Sequence, residues 1–209
     1  MGSIIVRAAV DSFRNVVEVR GEFTTQGLSP GNQRLLWHGT NRNCNVGESG
    51  RTSLCSFPQC SLCRIIKASF DVAYSKKKTG WGRFGNGVYT SSTSSKFVGY
   101  PSSVTIVLIL VSRSNDYSKN LLPSPWKAII LAYVVVGNAK KFTTSQPTLT
   151  RAPAGFDSVR SIPSSPSRPL VTFLQVVGEP SVGGCLNYDE LTVYNNDAVR
   201  PGYLVMYDS

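Results

Sequence analysis

The chain has 209 residues, of which 41% are hydrophobic, and its formal net charge is +10. This length and composition favour one domain with a single sizeable core and exclude a chain that is disordered throughout. The longest apolar stretches, 104–111 and 128–137, fall far short of the roughly 18 residues that cross a bilayer, so no membrane partner is expected.

The positive charge, with a pI near 9.6, favours polyanionic partners such as nucleic acid or acidic protein surfaces. The basic residues are dispersed, however, and form runs only at 76–78 and 140–141. A lysine run on a loop is usually just exposed to solvent, so these runs do not by themselves indicate nucleic-acid binding. A nucleic-acid-binding surface remains an alternative. No segment at the N-terminus has the form of a secretory signal, which slightly favours an intracellular protein.

Apolar residues at helical spacing predict a first helix between Ser3 and Phe23, with Ser3 as its N-cap. Glycine and proline between 27 and 32 end that pattern, and Arg34 to His38 then predicts a short strand with the histidine at its end. We assign residues 1–209 to a single domain, with residues 1–30 as its N-terminal helical segment.

The middle of the chain begins with a cysteine-rich insertion at 44–63, followed by a predicted short helix at 64–72 and a polar loop at 73–82. Glycines then lead into Tyr89, and serines at 91–95 predict the start of a helix that runs to Tyr100. A Pro/Ser-rich segment occupies residues 146–168. Strands are predicted at 104–112, 128–137, 171–177, 190–194 and 203–207.

Many short β-rich runs with only two or three helices predict an antiparallel α+β domain. No glycine-rich dinucleotide fingerprint stands between a strand and a helix, and no phosphate-binding loop with a Gly-Lys-Ser/Thr ending appears. If the chain binds a dinucleotide, it does not use a Rossmann fold.

Three short motifs stand in a fixed order: Leu-Leu-Trp-His-Gly-Thr at 35–40, Gly-Asn-Gly-Val-Tyr at 85–89 and Asp-Glu-Leu-Thr-Val-Tyr at 189–194. Together they resemble the catalytic domain of poly(ADP-ribose) polymerases, a family that binds NAD+ with a His-Tyr-Glu triad. Segments 132–138, 153–159 and 199–205 extend this resemblance. It implies the α+β ADP-ribosyltransferase fold of the diphtheria-toxin type, with split antiparallel β-sheets and a few short helices.

The resemblance also implies roles for individual residues. His38 would hydrogen-bond the adenosine ribose 2′-hydroxyl, and Gly39 would offer its backbone N–H and C=O to the nicotinamide carboxamide. Tyr89 and Tyr100 would lie against opposite faces of the nicotinamide ring. Glu190 would accept a hydrogen bond from the nicotinamide-ribose 2′-hydroxyl, stabilise developing positive charge and polarise the acceptor nucleophile.

One position departs from the family pattern. Counting from Tyr89, the carboxamide-binding serine falls on Phe97, which has no hydroxyl group, so Ser95 or a backbone group would have to take its place. Structural interpretations also exist: His38 as an ordinary strand-end residue, the tyrosines as core aromatics, and Glu190 as a charge that protects an edge strand. The shared order of the motifs favours function.

Cys44, Cys55, Cys60 and Cys63 fall within twenty residues, and the last two are separated by two residues, as in a zinc knuckle. Four cysteines would form a closed tetrahedral site, so the expected metal is a structural Zn²⁺. Disulfides, which would imply an oxidising compartment, and free buried thiols remain the alternatives. Cys185, distant in sequence, is expected to be a buried free thiol.

The sequence therefore predicts an NAD+-dependent ADP-ribosyltransferase that transfers ADP-ribose, as single units on grounds of domain size, to a protein or nucleic-acid acceptor. An NAD+ glycohydrolase is the first alternative, since water replaces the acceptor when nothing else is bound. The second is a catalytically silent module of the same fold that binds ADP-ribose or nucleic acid.

Overall fold

A computed structural model describes residues 2–75, 82–92, 118–162 and 190–208. Two helices lie in these ranges, α1 (Gly2–Gly21) and α2 (Ser61–Ala68). The strands are β1 (Gln33–Gly39), β2 (Val88–Thr90), β3 (Trp126–Val135), β4 (Ala139–Phe142), β5 (Ser158–Ser161), β6 (Leu191–Val193) and β7 (Val199–Asp208). Neither of the two helices is long and apolar enough to cross a membrane.

The described strands form two sheets. The first has the order β1-β3-β7 and is antiparallel throughout, with β3 in the centre. The second has the order β2-β6-β5-β4, in which only the pair β4–β5 is parallel. Two helices with two largely antiparallel sheets confirm the predicted α+β ADP-ribosyltransferase-like fold class.

A β-bridge joins the two sheets where β1 passes β2. The backbone N–H of Trp37 donates to the carbonyl oxygen of Ser91 at 2.8 Å, and the N–H of Ser91 donates back to Trp37 at 3.0 Å. The last residues of β1, which include the predicted functional histidine, are thereby held beside the end of β2.

The main core lies between the first sheet, α2 and the inner face of β2 and β6. Its fully or nearly fully buried members include Leu62, Ile130, Val134 and Val193. A smaller cluster, which includes Val17 and Phe23, packs α1 against the first sheet. Burial of apolar area on this scale stabilises a domain by roughly 25 cal/mol per Å² removed from water.

The first helix and the strands around 34–38, 128–137 and 203–207 are confirmed as α1, β1, β3 and β7. The predicted N-cap was wrong, because α1 begins at Gly2 and Ser3 lies inside the helix. The predicted helix at 64–72 exists as α2 but lies earlier, because Cys60 forms its N-cap and Ser69, in a left-handed conformation with φ 68°, ends it. The strand predicted at 190–194 is confirmed as β6.

Two short strands were not predicted from the sequence. β4 follows β3 after a turn at Gly137, and β5 lies inside the Pro/Ser-rich segment 146–168. Neither has the apolar alternation that marks a strand, because β4 carries two lysines and β5 two serines. The structure does not describe the strands predicted at 104–112 and 171–177. It also does not describe the helix predicted from 91 to Tyr100 beyond residue 92.

Candidate active site

His38 is the penultimate residue of β1, half-buried and paired with Ile130 of β3. Its Nδ1 lies 2.9 Å from the backbone carbonyl oxygen of Tyr89. Because a carbonyl only accepts hydrogen bonds, Nδ1 carries the proton and donates. In the neutral ring, Nε2 therefore keeps a lone pair and can accept a hydrogen bond from a ligand hydroxyl.

Desolvation lowers the pKa of His38 below its ordinary value, and the hydrogen bond to Tyr89 opposes this shift only in part. The imidazole is consequently neutral near pH 7. Phe70 packs on this ring edge-on, with the ring centroids 4.9 Å apart and the planes at 87°. One polar and one aromatic contact thus fix the orientation of His38.

Tyr89 is the middle residue of β2, and a tight turn holds its hydroxyl. The Tyr89 hydroxyl accepts a hydrogen bond from the N–H of Phe84 and donates one to the carbonyl of Gly85, both at 2.9 Å. Gly85 has φ 72°, and a Cβ there would lie 1.8 Å from the carbonyl oxygen of Leu149, so only glycine fits. Tyr194 donates to the carbonyl of Phe84 at 2.6 Å and braces the same turn.

Glu190 directly precedes β6 and is only 7% exposed. Its N–H donates to the Ser161 hydroxyl at 2.6 Å, and its carbonyl accepts from the N–H of Ser161 at 2.8 Å. The backbone of Glu190 is therefore fixed by the last residue of β5.

The register of β2 and β6 brings Glu190 to the point where the sheets meet. Thr90 pairs with Leu191 in antiparallel register, and continuing this register by one residue sets Glu190 opposite Ser91. Ser91 is also the residue that bridges to Trp37, the neighbour of His38. The three predicted triad positions thus lie on adjoining strands.

The pleat assigns Tyr89 and Glu190 to the same side of the second sheet. Residues that face each other across antiparallel strands share a side, as do residues two apart in one strand. Tyr89 pairs with Thr192, which is two residues from Glu190. Val88 and Val193 occupy the opposite side, where they belong to the main core.

The other residues predicted to bind NAD+ are only partly described. Gly39 ends β1, half-buried and paired with Ile129. Tyr100 and Ser95, like Phe97, lie beyond residue 92 in a range that the structure does not describe, and the same holds for residues 76–81 of the lysine-containing loop. Their roles stay predictions.

The four clustered cysteines come together as a possible metal centre. Their sulfur atoms all lie within 4.8 Å of one another, with Cys44 Sγ 3.8 Å from Cys60 Sγ and 3.5 Å from Cys63 Sγ. Four thiolates at about 2.3 Å around a tetrahedral ion stand about 3.8 Å apart. Cys55 completes the set, and none of the four side chains forms a disulfide.

The number and chemistry of the sulfurs, rather than the pKa values of the thiols, favour a bound cation. Burial raises the pKa of Cys63 and of Cys44, which opposes their deprotonation when no metal is present. Burial acts in the same sense on Cys60, but hydrogen bonds from the N–H groups of Asn43 and Cys63 outweigh it and lower the pKa of that thiol. Soft sulfur donors, four in number, fit Zn²⁺ and leave no position for water.

Arg42 anchors the insertion that carries these cysteines. Its side chain is 2% exposed and lies 3.0 Å from the carboxylate of Glu48. The guanidinium also donates to Asn120 at 3.0 Å, to the carbonyl of Val46 at 3.2 Å and to Ser124 at 2.9 Å. Sequence reasoning missed Arg42, because nothing in the motif order separates a buried arginine from a surface one.

Sequence reasoning also missed Ser161 and misplaced Phe70. Ser161 lies in the Pro/Ser-rich segment, where no pattern distinguishes one serine from its neighbours. Phe70 falls inside the helix predicted at 64–72, whereas in the structure it follows α2 after the turn at Ser69 and contacts His38.

The sequence profile of the poly(ADP-ribose) polymerase catalytic domain matches residues 11–209. The chain belongs to this family. Membership supports NAD+-dependent ADP-ribosyltransferase activity in general, with NAD+ as the co-substrate. A search of curated proteins finds no significant match.

Proposed function

We propose that this chain is a mono-ADP-ribosyltransferase that cleaves the bond between nicotinamide and ribose in NAD+ and transfers ADP-ribose to a protein or nucleic-acid acceptor. The observation that carries the proposal is the hydrogen bond of His38 to Tyr89, together with the strand register that brings Glu190 to the same junction. Three residue positions distant in sequence therefore lie near the junction of the two sheets.

His38 and Gly39 bind and orient the dinucleotide in this proposal. With Nδ1 donating to Tyr89, the Nε2 lone pair accepts a hydrogen bond from a ribose hydroxyl. The backbone of Gly39 receives the carboxamide, since glycine allows close approach. The phenol ring of Tyr89 lies against the nicotinamide ring. The turn that binds the Tyr89 hydroxyl keeps the phenol ring from rotating away. Tyr100 on the opposite face and Ser95 at the carboxamide complete the proposed site.

Glu190 supplies the negative charge that the reaction needs. As the glycosidic bond lengthens, positive charge grows at the anomeric carbon, and the bond's electron pair leaves with nicotinamide. A carboxylate beside the ribose stabilises that charge and accepts a proton from the acceptor as the new bond forms. Transfer to water by the same steps would release free ADP-ribose.

The cysteine centre is proposed to hold one structural Zn²⁺. Cys44, Cys55, Cys60 and Cys63 would ligate it, and the ion would supply a crosslink between the insertion and the start of α2 rather than chemistry on NAD+. The distances among the sulfurs support this assignment.

Nicotinamide release from NAD+ tests the enzymatic proposal. The chain is incubated with NAD+ carrying a label on the adenylate, with separate protein, DNA and RNA acceptors, and the labelled product is identified. Label on a macromolecule supports transfer, whereas free ADP-ribose alone supports the glycohydrolase. Binding of NAD+ without any release of nicotinamide would establish the silent module. Salt-sensitive binding of DNA or RNA without turnover would instead indicate a nucleic-acid reader.

Metal analysis of the purified protein tests the zinc proposal independently of activity. One zinc per chain is expected, and it is expected to disappear in Cys63→Ser but to persist in Cys185→Ser. Absence of metal together with fewer than five titratable thiols in the denatured protein would replace zinc by disulfides.

A further inference from the structure

We infer that Phe70 is a positioning residue that orients His38 for NAD+ binding, and that the four-cysteine centre holds Phe70 in place through α2. The inference rests on the proposed function for the role of His38 in binding NAD+. It goes beyond that function because it makes the orientation of His38 in the proposed NAD+ site depend on the cysteine insertion.

The contact at His38 is the first step. The imidazole has a hydrogen bond at Nδ1, and a single hydrogen bond tolerates some rotation of the ring about its Cβ–Cγ bond. Phe70 limits this rotation, because it is 4% exposed and meets the ring edge-on at a centroid distance of 4.9 Å. The ring of Phe70 therefore sets the direction in which Nε2 points.

The position of Phe70 depends on the turn that ends α2. Ser69 has φ 68° and ψ −175°, a backbone conformation that serine rarely adopts and that its surroundings must hold. Its N–H donates to the carbonyl of Ile65 at 2.8 Å, and its hydroxyl contacts the carbonyl of Val199 at 3.4 Å. This turn directs the chain from the end of α2 to the side of β1.

The start of α2 is held by the cysteine centre. Cys60 is the N-cap of the helix and Cys63 lies in its first turn. The N–H of Leu62 donates to the carbonyl of Asn41 at 3.0 Å, and the N–H of Asn43 points to Cys60 Sγ at 3.3 Å. A helix of eight residues is not stable alone, so its placement depends on these contacts and on the sulfur cluster.

Two connections therefore run between the cysteine centre and His38. One is the chain itself, which passes from His38 to Cys44 in six residues. The other runs through α2 and Ser69 to Phe70. A bound metal that fixes Cys60 and Cys63 relative to Cys44 would join these two connections. It would thereby hold Phe70 and His38 in fixed positions relative to each other.

Phe70→Leu tests the first link, with Phe23→Leu as the matched control. Both phenylalanines are buried, 4% and 6% exposed, but Phe23 packs in the cluster under α1. For Phe70→Leu we expect KM for NAD+ to rise about two- to tenfold with kcat changed less. Phe23→Leu should leave both constants near those of the parent chain. A fall in kcat at unchanged KM, or equal effects in both variants, would overturn the inference.

Nuclear magnetic resonance of His38 provides a readout that does not depend on activity. His38 is the only histidine in the sequence, so its imidazole signals need no assignment against others. Phe70→Leu should shift them by removing the aromatic ring current, and Phe23→Leu should not.

The second link is tested by recording the same signals before and after zinc is removed from the intact chain with a chelator. A shift of the His38 signals that reverses when zinc is restored, while circular dichroism shows that the sheets persist, is the expected result. Unmoved His38 signals after metal loss would refute the coupling. If the parent chain neither binds nor cleaves NAD+, the proposed function fails, yet these signals still decide whether the centre controls His38.

Discussion

The imidazole of His38 donates from Nδ1 to the backbone carbonyl of Tyr89 across 2.9 Å, which links two residues that are 51 positions apart. The bond joins the first sheet to the second at the same place as the Trp37–Ser91 bridge. It defines the tautomer of the ring, and it makes the position of His38 dependent on β2. The proposed binding site is therefore assembled by sheet pairing rather than by a single loop.

Replacing Glu190 by glutamine is expected to abolish most turnover and to leave NAD+ binding largely intact. The amide keeps the size of the side chain but loses the charge that stabilises the cationic transition state, so kcat should fall by about 10²- to 10⁴-fold. Nicotinamide release and a separate binding titration measure the two effects. Glu22→Gln, at an exposed carboxylate directly after the end of α1, is the control. Equal activity in Glu190→Gln and the parent chain would exclude the proposed role.

Acid is expected to destabilise the fold through His38. Its pKa in the folded chain lies below the ordinary value of 6.5, so the unfolded chain takes up a proton first as the pH falls. The free energy of unfolding should therefore be at its full value above about pH 6.5 and decline as the pH falls from there through the folded pKa. Chemical denaturation between pH 8 and pH 5 measures this decline.

The matched variant for the pH dependence is His38→Gln, which has no titrating ring. The free energies of unfolding of this variant and of the parent chain should differ by a constant amount above about pH 6.5. The difference should change only below that pH. The affinity of the parent chain for NAD+ should weaken in the same range, because protonation removes the accepting lone pair of Nε2. Parallel profiles for the two chains would contradict the lowered pKa.

Two serines of β5 permit a comparison of function with stability. Ser161→Ala removes the acceptor for the N–H of Glu190, whereas Ser158→Ala removes a hydrogen bond of 2.8 Å to the carbonyl of Val136. Each loss should cost about 1 kcal/mol of unfolding free energy. Only Ser161→Ala is expected to lower kcat as well, because it loosens the backbone of Glu190. An equal kcat in the two variants would show that Ser161 is merely structural.

Arg42 is expected to be among the most costly residues to replace. Arg42→Leu removes a buried guanidinium and leaves the partly buried Glu48 and several carbonyls without their partner, so it should cost clearly more than the roughly 1 kcal/mol of an average substitution. Arg42→Lys should recover only part of this loss, since lysine has fewer donors and no planar fork. Urea unfolding measures both changes. Arg151→Lys, at an exposed position, should change stability by less than about 0.5 kcal/mol.

Replacing one cysteine of the centre should destabilise the chain only when metal is present in the parent. Cys60→Ser removes a proposed ligand, and the Cys60 side chain makes no capping hydrogen bond to α2, so the melting temperature of the variant should match that of the chelator-treated parent. Added chelator should then leave the variant unchanged. A further loss of stability when chelator is added to Cys60→Ser would show that the metal binds elsewhere.

The sequence by itself determined the family, the class of fold and the strands that matter most. Three motifs in order predicted the α+β domain, and apolar runs located β1, β3 and β7, because buried strands and an amphipathic helix have a period that a sequence displays. The spacing of the cysteines likewise predicted that they would gather. These are local signals, and they are readable without the fold.

Only the tertiary structure decided how the parts meet. The strands β4 and β5 carry lysines and serines, and they exist because neighbouring strands supply their hydrogen bonds. The edge-on contact of Phe70 with His38 depends on the turn at Ser69. A serine in the sequence does not predict such a turn, because serine rarely adopts this backbone conformation. The hydrogen bonds of Ser161 to Glu190 and of Arg42 to the insertion join residues that are far apart in sequence, and such pairings arise from folding, not from composition.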